Sequence, residues 1–428
     1  MIYDDRETLS REELTRLQSE RLRETVIHAT ENVPFYHEAF ERAGIDPETI
    51  ESIDDIARLP FTTKDDLRET YPDGMFAVSK GEIRRIHASS GTTGKSKIVA
   101  YTEADLDLWS EVMARSLAAS GVSPGDTVQN AYGYGLFTGG LGVHYGVERL
   151  GATVIPIGGG QTQRQIELLR DLESDVLTCT PSYALYLAES ARNDGLNPRD
   201  FALSTVIIGA EPCTQPMREA IEAALDVTAV DIYGLSEIIG PGVSNECHEA
   251  QDGLHIWEDQ FYPEVIDPAT GEPLPEGEEG ELVLTSLTKE ALPIIRYRTG
   301  DLTTLNDEQC ACGRTMVRMD NVTGRADDLL IVRGVNVYPS QIESVVLEFD
   351  GVLPHYRIDL EREGELDTIE ITVELDEGFD GDRNALENRI RERLQNVLTL
   401  SPDALTLVDY GEIERTEVGK VKRVYDRR

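Results

Sequence analysis

A regular alternation of short apolar runs and longer polar-faced stretches occupies the middle of the chain, from Thr127 to Tyr233. The apolar runs predict buried strands, namely Thr127–Tyr132, Ala152–Ile157, Val176–Thr180, Thr205–Ile208 and Val227–Tyr233. The stretches between them predict helices near residues 140–150, 161–172, 182–193 and 215–224. Strand and helix repeated in this way predict an α/β fold with a mostly parallel sheet that helices cover on both faces. A strand at Glu281–Thr285 and the segment up to Asp301 predict a β-rich part of the same domain.

The loops that follow these strands are the first candidates for a functional site. In parallel sheets, ligands bind beyond the carboxyl ends of the strands. The loops at 133–137, 181–183, 209–212 and 234–237 contain small or functional side chains, whereas the strands before them are plainly hydrophobic. The sequence therefore predicts a ligand site along this edge of the sheet.

A hydroxyl-rich and glycine-rich stretch, Ser89–Lys97, precedes this region. Its glycines allow tight turns that bring backbone N–H groups close to an anion, and its lysines add positive charge. The motif differs from a P-loop, because Ser89 stands where the first glycine is required and Ile98–Tyr101 predicts a strand instead of a helix. The stretch is interpreted as a phosphate-binding loop of another kind, and a solvated hairpin turn is the alternative.

The charge balance excludes several classes of partner. With 80 acidic and 40 basic residues the net charge is −40, which would repel nucleic acid and anionic membranes. At about 1 M salt the Debye length falls to roughly 3 Å, so such self-repulsion would be screened in a high-salt cytoplasm. We therefore interpret the acidity as a halophilic adaptation; an acidic protein of ordinary salt is the alternative.

Targeting signals and a disulfide framework are absent from the sequence. No run of eighteen apolar residues is present, and the first residues lack a basic segment followed by an apolar one. The five cysteines are odd in number and widely scattered. These features predict a soluble, cytoplasmic protein.

The last quarter of the chain has a different character. Apolar alternation in 355–360 and 368–375, a charged helix near 382–397 and a last strand at 404–410 predict a small α+β domain. We place the boundary near Asp327, which gives a large domain at 1–326 and a small domain at 327–428.

Several stretches together resemble the phenylacetate–CoA ligase family of the adenylate-forming enzymes. They occur in the family's order over nearly the whole chain: Ser89–Lys97, Gly133–Gly142, Gly158–Gln163, Asp231–Gly242, Trp257–Pro263, Ser286–Asp301, Gly324–Ser340 and Gly419-Lys420. The resemblance implies ATP, Mg²⁺ and coenzyme A, and an aryl acid such as phenylacetate that is first joined to AMP and then to the CoA thiol. It also implies a small domain that moves between these two steps.

The resemblance assigns roles to individual residues. It implies phosphate binding by Ser90, Thr92, Thr93 and Lys95, adenine stacking on Tyr233 with Gly234 and Ser236 beside it, and Mg²⁺ binding by Glu237. It implies ribose binding by Asp301 and Arg325, a hinge at Asp327 and transition-state stabilisation by Lys420. The predicted acid pocket is lined by Tyr134, Phe137, Gly209, Ala210, Ile239 and Pro241. Core packing is the alternative for the aromatic residues, and a solvated basic tail is the alternative for Lys420.

A candidate zinc site lies outside these motifs. Cys310 and Cys312 form a C-x-C pair in a polar loop, and Cys247 and His255 follow the Glu237 loop at a separation of eight. Three cysteines and one histidine are a ligand set of structural zinc sites. His248 is a competing fourth ligand, and unliganded loop thiols are the alternative. Cys179 and Cys213 are interpreted as core residues, and His144 as a satisfied core histidine.

Other functions stay open at this point. One is an adenylating enzyme of the same fold whose acceptor is a cofactor or a carrier protein. A P-loop kinase is disfavoured by Ser89, and a non-catalytic nucleotide-binding module by the complete set of functional residues. The oligomeric state is open as well, with a homodimer as the common arrangement of soluble oligomers.

Overall fold

The structure is a computed structural model that describes residues 1–89, 96–326, 329–333, 335–363, 366–416 and 421–428. Six residues of the predicted site lie outside this part of the chain: Ser90, Thr92, Thr93, Lys95, Asp327 and Lys420. No helix in the described ranges is both long enough and apolar enough to cross a membrane.

Helices and a β-hairpin precede the central sheet. In chain order they are α1 (Arg11–Asn32), α2 (Pro34–Ala43), α3 (Lys64–Glu69), β1 (Arg85–Ala88), β2 (Ile98–Tyr101) and α4 (Glu103–Ala119). Helix α1 begins at Arg11, because the Ser10 side chain accepts from the Glu13 amide while the Glu13 carboxylate accepts from the Ser10 amide. The strands β1 and β2 pair antiparallel and flank the predicted phosphate loop.

The rest of the large domain is built from two sheets and the helices that cover them. Its elements are β3 (Thr127–Asn130), α5 (Thr138–Leu150), β4 (Thr153–Ile155), α6 (Thr162–Asp171), β5 (Val176–Cys179), α7 (Pro181–Asn193), β6 (Thr205–Gly209), α8 (Gln215–Leu225), β7 (Thr228–Leu235), β8 (Gly240–Glu246), β9 (Leu254–Ile256), β10 (Phe261–Ile266), β11 (Gly280–Ser286), β12 (Tyr297–Thr303), β13 (Leu305–Asn306), β14 (Arg318–Met319) and β15 (Gly324–Arg325).

The larger sheet has nine strands in the order β13-β14-β9-β8-β7-β6-β5-β3-β4. Five neighbouring strands of this sheet are parallel, as the sequence predicts, in the order β4-β3-β5-β6-β7. From β7 onward each neighbour is antiparallel, so the prediction of a mostly parallel sheet is correct for one half only. The chain reverses direction between β7 and β8, and Glu237 lies in the turn that makes this reversal.

A second sheet of four antiparallel strands has the order β10-β11-β12-β15. Strand β12 places Asp301 directly opposite Arg325 of β15. The apolar core extends through both sheets and includes Ile232, Leu284 and Trp257. These buried contacts hold the two sheets in a fixed arrangement around the predicted site.

The small domain is α+β, as predicted, and has a core of its own. Its elements are β16 (Leu330–Val332), β17 (Val335–Val337), α9 (Pro339–Val346), β18 (Val352–Glu363), β19 (Leu366–Leu375), α10 (Arg383–Leu398), β20 (Ala404–Val408) and β21 (Val424–Asp426). The predicted last strand, at 404–410, is not the last, because β21 pairs parallel with β18 nearer the C-terminus. Ile358, Val373 and Ile390 are fully buried between this sheet and its helices.

Candidate active site

The carboxyl ends of the parallel strands open onto a cavity of about 340 Å³. Its wall combines residues that follow β3, β6 and β7 with residues of β12 and β15. The predicted nucleotide residues of the described chain, Tyr233, Gly234, Ser236, Glu237, Asp301 and Arg325, all line this cavity. Residues that are distant in sequence therefore meet at the edge where a parallel sheet binds its ligands.

Glu237 is the buried acid of the cavity. Its Oε1 atom accepts from the Lys97 ammonium and, at 3.3 Å, from the Tyr297 hydroxyl. Beneath it, Lys289 Nζ donates to the Glu237 carbonyl at 3.2 Å and lies over the Tyr101 ring. The Glu237 turn is thus fixed through both its side chain and its backbone.

Burial and charge act in opposite directions on these groups. Burial alone would raise the pKa of Glu237, but the Lys97 ammonium more than offsets this effect and keeps the pKa below its ordinary value. The acid is therefore ionised at neutral pH and suited to a cation. Burial lowers the pKa of Lys289 to about 8, with the Asp105 and Glu237 carboxylates opposing that shift.

Tyr233, Asp301 and Arg325 form a connected group on another wall of the cavity. The Tyr233 hydroxyl donates to Asp301 Oδ2 at 2.6 Å, and Arg325 Nη1 forms an ion pair with Asp301 Oδ1. Arg325 Nη2 also donates to the Thr299 carbonyl at 3.2 Å. The carboxylate predicted to accept ribose hydroxyls is therefore oriented from both of its oxygens before any ligand binds.

Asp231 adds a third buried carboxyl group to the cavity, after Glu237 and Asp301, and the sequence assigned it no role. Its Oδ2 accepts from Asn321 Nδ2 at 2.9 Å. Burial, helped by the nearby Glu246 carboxylate, raises the pKa of Asp231 to about 7. This group therefore changes charge near neutral pH.

The base of the phosphate loop lies at the same cavity. The Ser89 amide donates to the Lys97 carbonyl at 3.0 Å, and both residues line the cavity. Lys64 and Arg68 of α3 also line it, although the sequence interpretation did not single them out. Two basic residues on a short helix do not form a recognisable sequence motif, so only the fold shows that they lie at the cavity.

The predicted acid pocket is divided between lining residues and supporting residues. Phe137, Ala210 and Pro241 line the cavity. Ile239 is fully buried behind it, where its carbonyl accepts from Tyr101, and the Tyr134 hydroxyl accepts from Asn130 at 2.9 Å and contacts His144.

Gly209 lies close to the backbone of the neighbouring strand. A Cβ atom at this position would lie 2.4 Å from the Ile232 carbonyl oxygen. Glycine at 209 therefore lets two neighbouring strands approach beside the pocket. The predicted core histidine, His144, has a partner in Tyr134 but is only half-buried.

The small domain reaches the cavity through its C-terminal segment. The Val421 amide donates to Glu211 Oε1 at 3.0 Å, while Glu211 Oε2 accepts from the Ser182 hydroxyl at 2.6 Å. Glu211 itself lines the cavity. One carboxylate thus joins α7, the loop after β6 and the segment that follows Lys420 in sequence.

A separate cluster brings together the predicted zinc ligands. The ligand atoms of Cys247, His255, Cys310 and Cys312 all lie within 4.8 Å of one another. The Cys247 and Cys310 sulfurs are 3.7 Å apart, and Cys312 Sγ is 3.4 Å from His255 Nε2. Tetrahedral zinc, with bonds of about 2.3 Å to sulfur and 2.0–2.1 Å to nitrogen, requires separations of about 3.8 and 3.6 Å.

The competing ligand, His248, does not join this cluster. Its imidazole packs against Gly121, where an added Cβ would lie 2.6 Å from His248 Cδ2, and its amide donates to the Ala119 carbonyl. The prediction of His248 as an alternative ligand is therefore wrong, because it faces the end of α4. Cys179 and Cys213 are buried outside the cluster.

Comparison with known families covers nearly the whole chain. Residues 7–288 match the family described as AMP-binding enzyme, and residues 334–428 match the AMP-binding enzyme C-terminal domain. The phenylacetate-coenzyme A ligase of Thermus thermophilus is 51% identical, with 100% of each chain covered. That of Escherichia coli is 50% identical, with 99% of this chain and 97% of that protein covered.

Solved structures add information about the arrangement of the domains. A 2-hydroxyisobutyryl-CoA ligase in its postadenylation state with 2-HIB-AMP superposes with a TM-score of 0.93 at 32% identity, over 99% of this chain and 92% of that one. The same enzyme in its thioesterification state gives 0.74 at 32% identity, over 99% of this chain and 91% of that one. The present arrangement of the domains is therefore close to the postadenylation state of that enzyme.

Proposed function

The chain belongs to the phenylacetate–CoA ligase family of the adenylate-forming enzymes, and on that premise we propose that it joins phenylacetate to coenzyme A. The observation that carries the proposal is the meeting of Glu237, Asp301, Arg325 and Tyr233 at one cavity in a chain that shares half its residues with ligases of that name. The apolar side of the cavity, with Phe137 and Pro241, suits an aryl acid.

The reaction consists of two displacements. A carboxylate oxygen attacks the α-phosphorus of ATP, which forms the acyl-adenylate and breaks the bond to the leaving pyrophosphate. The CoA sulfur then attacks the acyl carbon, breaks the bond to AMP and loses its proton to solvent. Because the acid and the triphosphate are both anionic, the protein must supply positive charge at the reacting centre.

In the proposed site each residue has a distinct task. Tyr233 stacks on adenine, Asp301 accepts from the ribose hydroxyls, and Arg325 contacts ribose and phosphate. Ser90, Thr92, Thr93 and Lys95 bind the phosphates. Lys97, at the end of the same loop, adds positive charge beside them. Lys420 stabilises the charge that develops at the α-phosphate.

Magnesium fits the donor set around Glu237. The carboxylate is a hard oxygen ligand that is ionised at neutral pH, and it already holds the Lys97 ammonium, so the position is one that stabilises positive charge. Glu237 would hold Mg²⁺ together with phosphate oxygens, and the ion would neutralise the charge of the leaving pyrophosphate.

The small domain, from a boundary near Asp327, supplies a different surface for each displacement in this proposal. Backbone rotation at Asp327 would carry the Lys420 segment to and from the cavity.

The decisive experiment is a panel of carboxylic acids in an ATP–pyrophosphate exchange assay, followed by thioester formation with CoA. We expect exchange that depends on an added acid, with phenylacetate the best substrate, and a CoA thioester as product. Exchange without thioester formation would indicate an acceptor other than CoA. No exchange with any acid, at low or high salt, would contradict the proposal.

The Cys/His cluster is the basis for a structural zinc ion in the same proposal. Its sulfur and nitrogen separations match tetrahedral zinc, and Cys247, His255 and Cys310 are buried, as in closed structural sites. The ion would join the chain after β8 to the loop between β13 and β14. Metal analysis should find one zinc per chain, and a value well below one would end this part of the proposal.

Adaptation to high salt completes the proposal. The net charge of −40 leaves an acidic surface whose self-repulsion falls as salt screens it. The carboxylate panel should therefore be run at several KCl concentrations.

A further inference from the structure

Several polar contacts join the two domains, beside an apolar contact in which Leu347 of the small domain packs against the core of the large domain. The contacts pair Glu189 with Arg415, Asn193 with Tyr410, Glu211 with Val421 and Thr214 with Glu343. In each pair the first residue belongs to the large domain and the second to the small domain. Such contacts exchange readily with water, so they can form and break during a catalytic cycle.

Arg415 makes the most extensive of these contacts. Its Nη2 and Nε atoms donate to the two Glu189 oxygens at 2.9 and 3.2 Å, which is a bidentate ion pair across the domain boundary. Its Nη1 and Nη2 atoms also donate to Glu374 of the small domain, at 2.8 and 2.6 Å. One guanidinium therefore lies between carboxylates of both domains.

The surroundings make this ion pair stronger than an exposed one. The Arg415 and Glu189 side chains are only 14% and 18% exposed. His355 Nε2 lies 3.6 Å from Glu189, so a further group of the small domain faces the same carboxylate. Glu374 is fully buried and belongs to the same domain as Arg415, so Arg415 has a carboxylate partner that does not depend on the contact with Glu189.

The arrangement in which these contacts occur is one of two that a homologous ligase adopts. The TM-score is 0.93 against the postadenylation state and 0.74 against the thioesterification state of the same enzyme, at equal identity and equal coverage of this chain. The difference therefore reflects the arrangement of the domains. The Glu189–Arg415 pair belongs to the first arrangement.

From this geometry we propose that Glu189 and Arg415 form a latch that selects the domain arrangement for adenylate formation and breaks before thioester formation. This inference rests on the proposed function for its two half-reactions. Neither residue lines the nucleotide cavity, so both are positioning residues. A contact made in one state only shifts the population of states by its full differential free energy.

The test is Glu189→Gln, which keeps the shape of the side chain and removes its charge. The matched control is Glu219→Gln, a glutamate of α8 that bonds Gln215 of its own helix. Acid-dependent pyrophosphate exchange should fall at least about fivefold in Glu189→Gln, which corresponds to about 1 kcal/mol of lost preference. Thioester formation from supplied aryl-adenylate and CoA should be unchanged or faster, and the control should match the wild type in both assays.

A second measurement needs no substrate. Small-angle X-ray scattering of the free protein should shift away from the present arrangement in Glu189→Gln and stay unchanged in Glu219→Gln. Unchanged scattering together with unchanged exchange would overturn the latch, and so would an equal loss of both half-reactions. If the wild type shows no exchange with any acid while the scattering still shifts, the proposed function fails and the domain contact stands.

A double variant separates the ion pair from general damage. Adding Arg415→Gln to Glu189→Gln should reduce exchange little beyond Arg415→Gln alone, because the pair is already broken. Multiplicative losses would show that the two residues act independently and would overturn the latch.

Discussion

Glu237 and the small domain are held in the molecule by very different means. Glu237 lies in a turn fixed by Lys97, Tyr297 and Lys289, inside a core that extends through both sheets of the large domain. The small domain has a separate core and meets the large domain through ion pairs and hydrogen bonds such as Arg415–Glu189 and Val421–Glu211, with Leu347 as an apolar contact. The difference teaches that the proposed nucleotide site is built into the core of the large domain, whereas the small domain is joined to it largely by contacts that water can replace.

Removal of the Lys420 side chain should give the largest effect, and it should reduce only the adenylate-forming step. We expect Lys420→Ala to lower acid-dependent pyrophosphate exchange by at least about 100-fold, because the charge at the α-phosphate would lose its lysine. Thioester formation from supplied aryl-adenylate should be spared. The control is Lys422→Ala, whose exposed ammonium lies over the Tyr425 ring. Equal loss of both steps would mean that the small domain does not divide its work in this way.

Loss of the proposed zinc ion should weaken the large domain without altering the chemistry. We expect chelation or Cys310→Ser to lower the Tm by about 10 °C, because the cluster joins strands at the antiparallel edge of the large sheet. Exchange by the remaining folded protein should persist. Cys179→Ala, at a buried thiol outside the cluster, is the control and should lose only its own packing. An unchanged Tm after chelation would contradict a structural role.

Salt should stabilise the whole chain. Between 0.1 and 2 M KCl we expect the Tm to rise by about 5 °C, because screening reduces the repulsion among carboxylates. Differential scanning calorimetry measures this change directly. A flat or falling Tm would contradict halophilic adaptation.

Asp231→Asn should give the smallest effect, and its sign follows from the raised pKa. The pKa of the Asp231 carboxyl is about 7 in the folded protein and about 3.8 in the unfolded chain. Its contribution to the free energy of unfolding is therefore complete below pH 4 and is lost as the pH rises to 7. The free energy of unfolding of the variant should therefore rise relative to that of the wild type between pH 4 and pH 7, and the difference should stay level above pH 7. Asp226→Asn, at an exposed aspartate before β7, is the control for urea unfolding at several pH values. A gain that is equal at all pH values would contradict this origin.

The parallel half of the sheet was predictable, and the antiparallel half was not. Strands such as Thr205–Gly209 are continuous apolar runs, because both faces of a parallel sheet are covered. Strand β8, Gly240–Glu246, contains glycines, a proline and a terminal acid, so its burial depends on packing that sequence periodicity does not reveal.

Residues of the site divide in the same way. Tyr233, Glu237, Asp301 and Arg325 belong to motifs, and the structure brings them to one cavity. Lys289 and Glu211 lie in stretches that the sequence singles out, 286–301 and 209–212, but their roles become visible only when distant elements pack together. Lys64 belongs to no such stretch, and only the fold places it at the cavity. The Cys/His set was predicted from residue types alone, and the choice between His255 and His248 required the direction of each side chain.

The Leu136 carbonyl accepts from the Ala88 amide and contacts His87 Nδ1. Both residues belong to β1, the strand that precedes the predicted phosphate loop. Phe137, which follows Leu136, lines the apolar side of the cavity. For protein engineering, this means that the segment 133–137 is not an interchangeable module. A graft that replaces this segment must keep the backbone path that places the carbonyl of residue 136 beside Ala88 and His87, or it will also alter the support of the predicted phosphate loop.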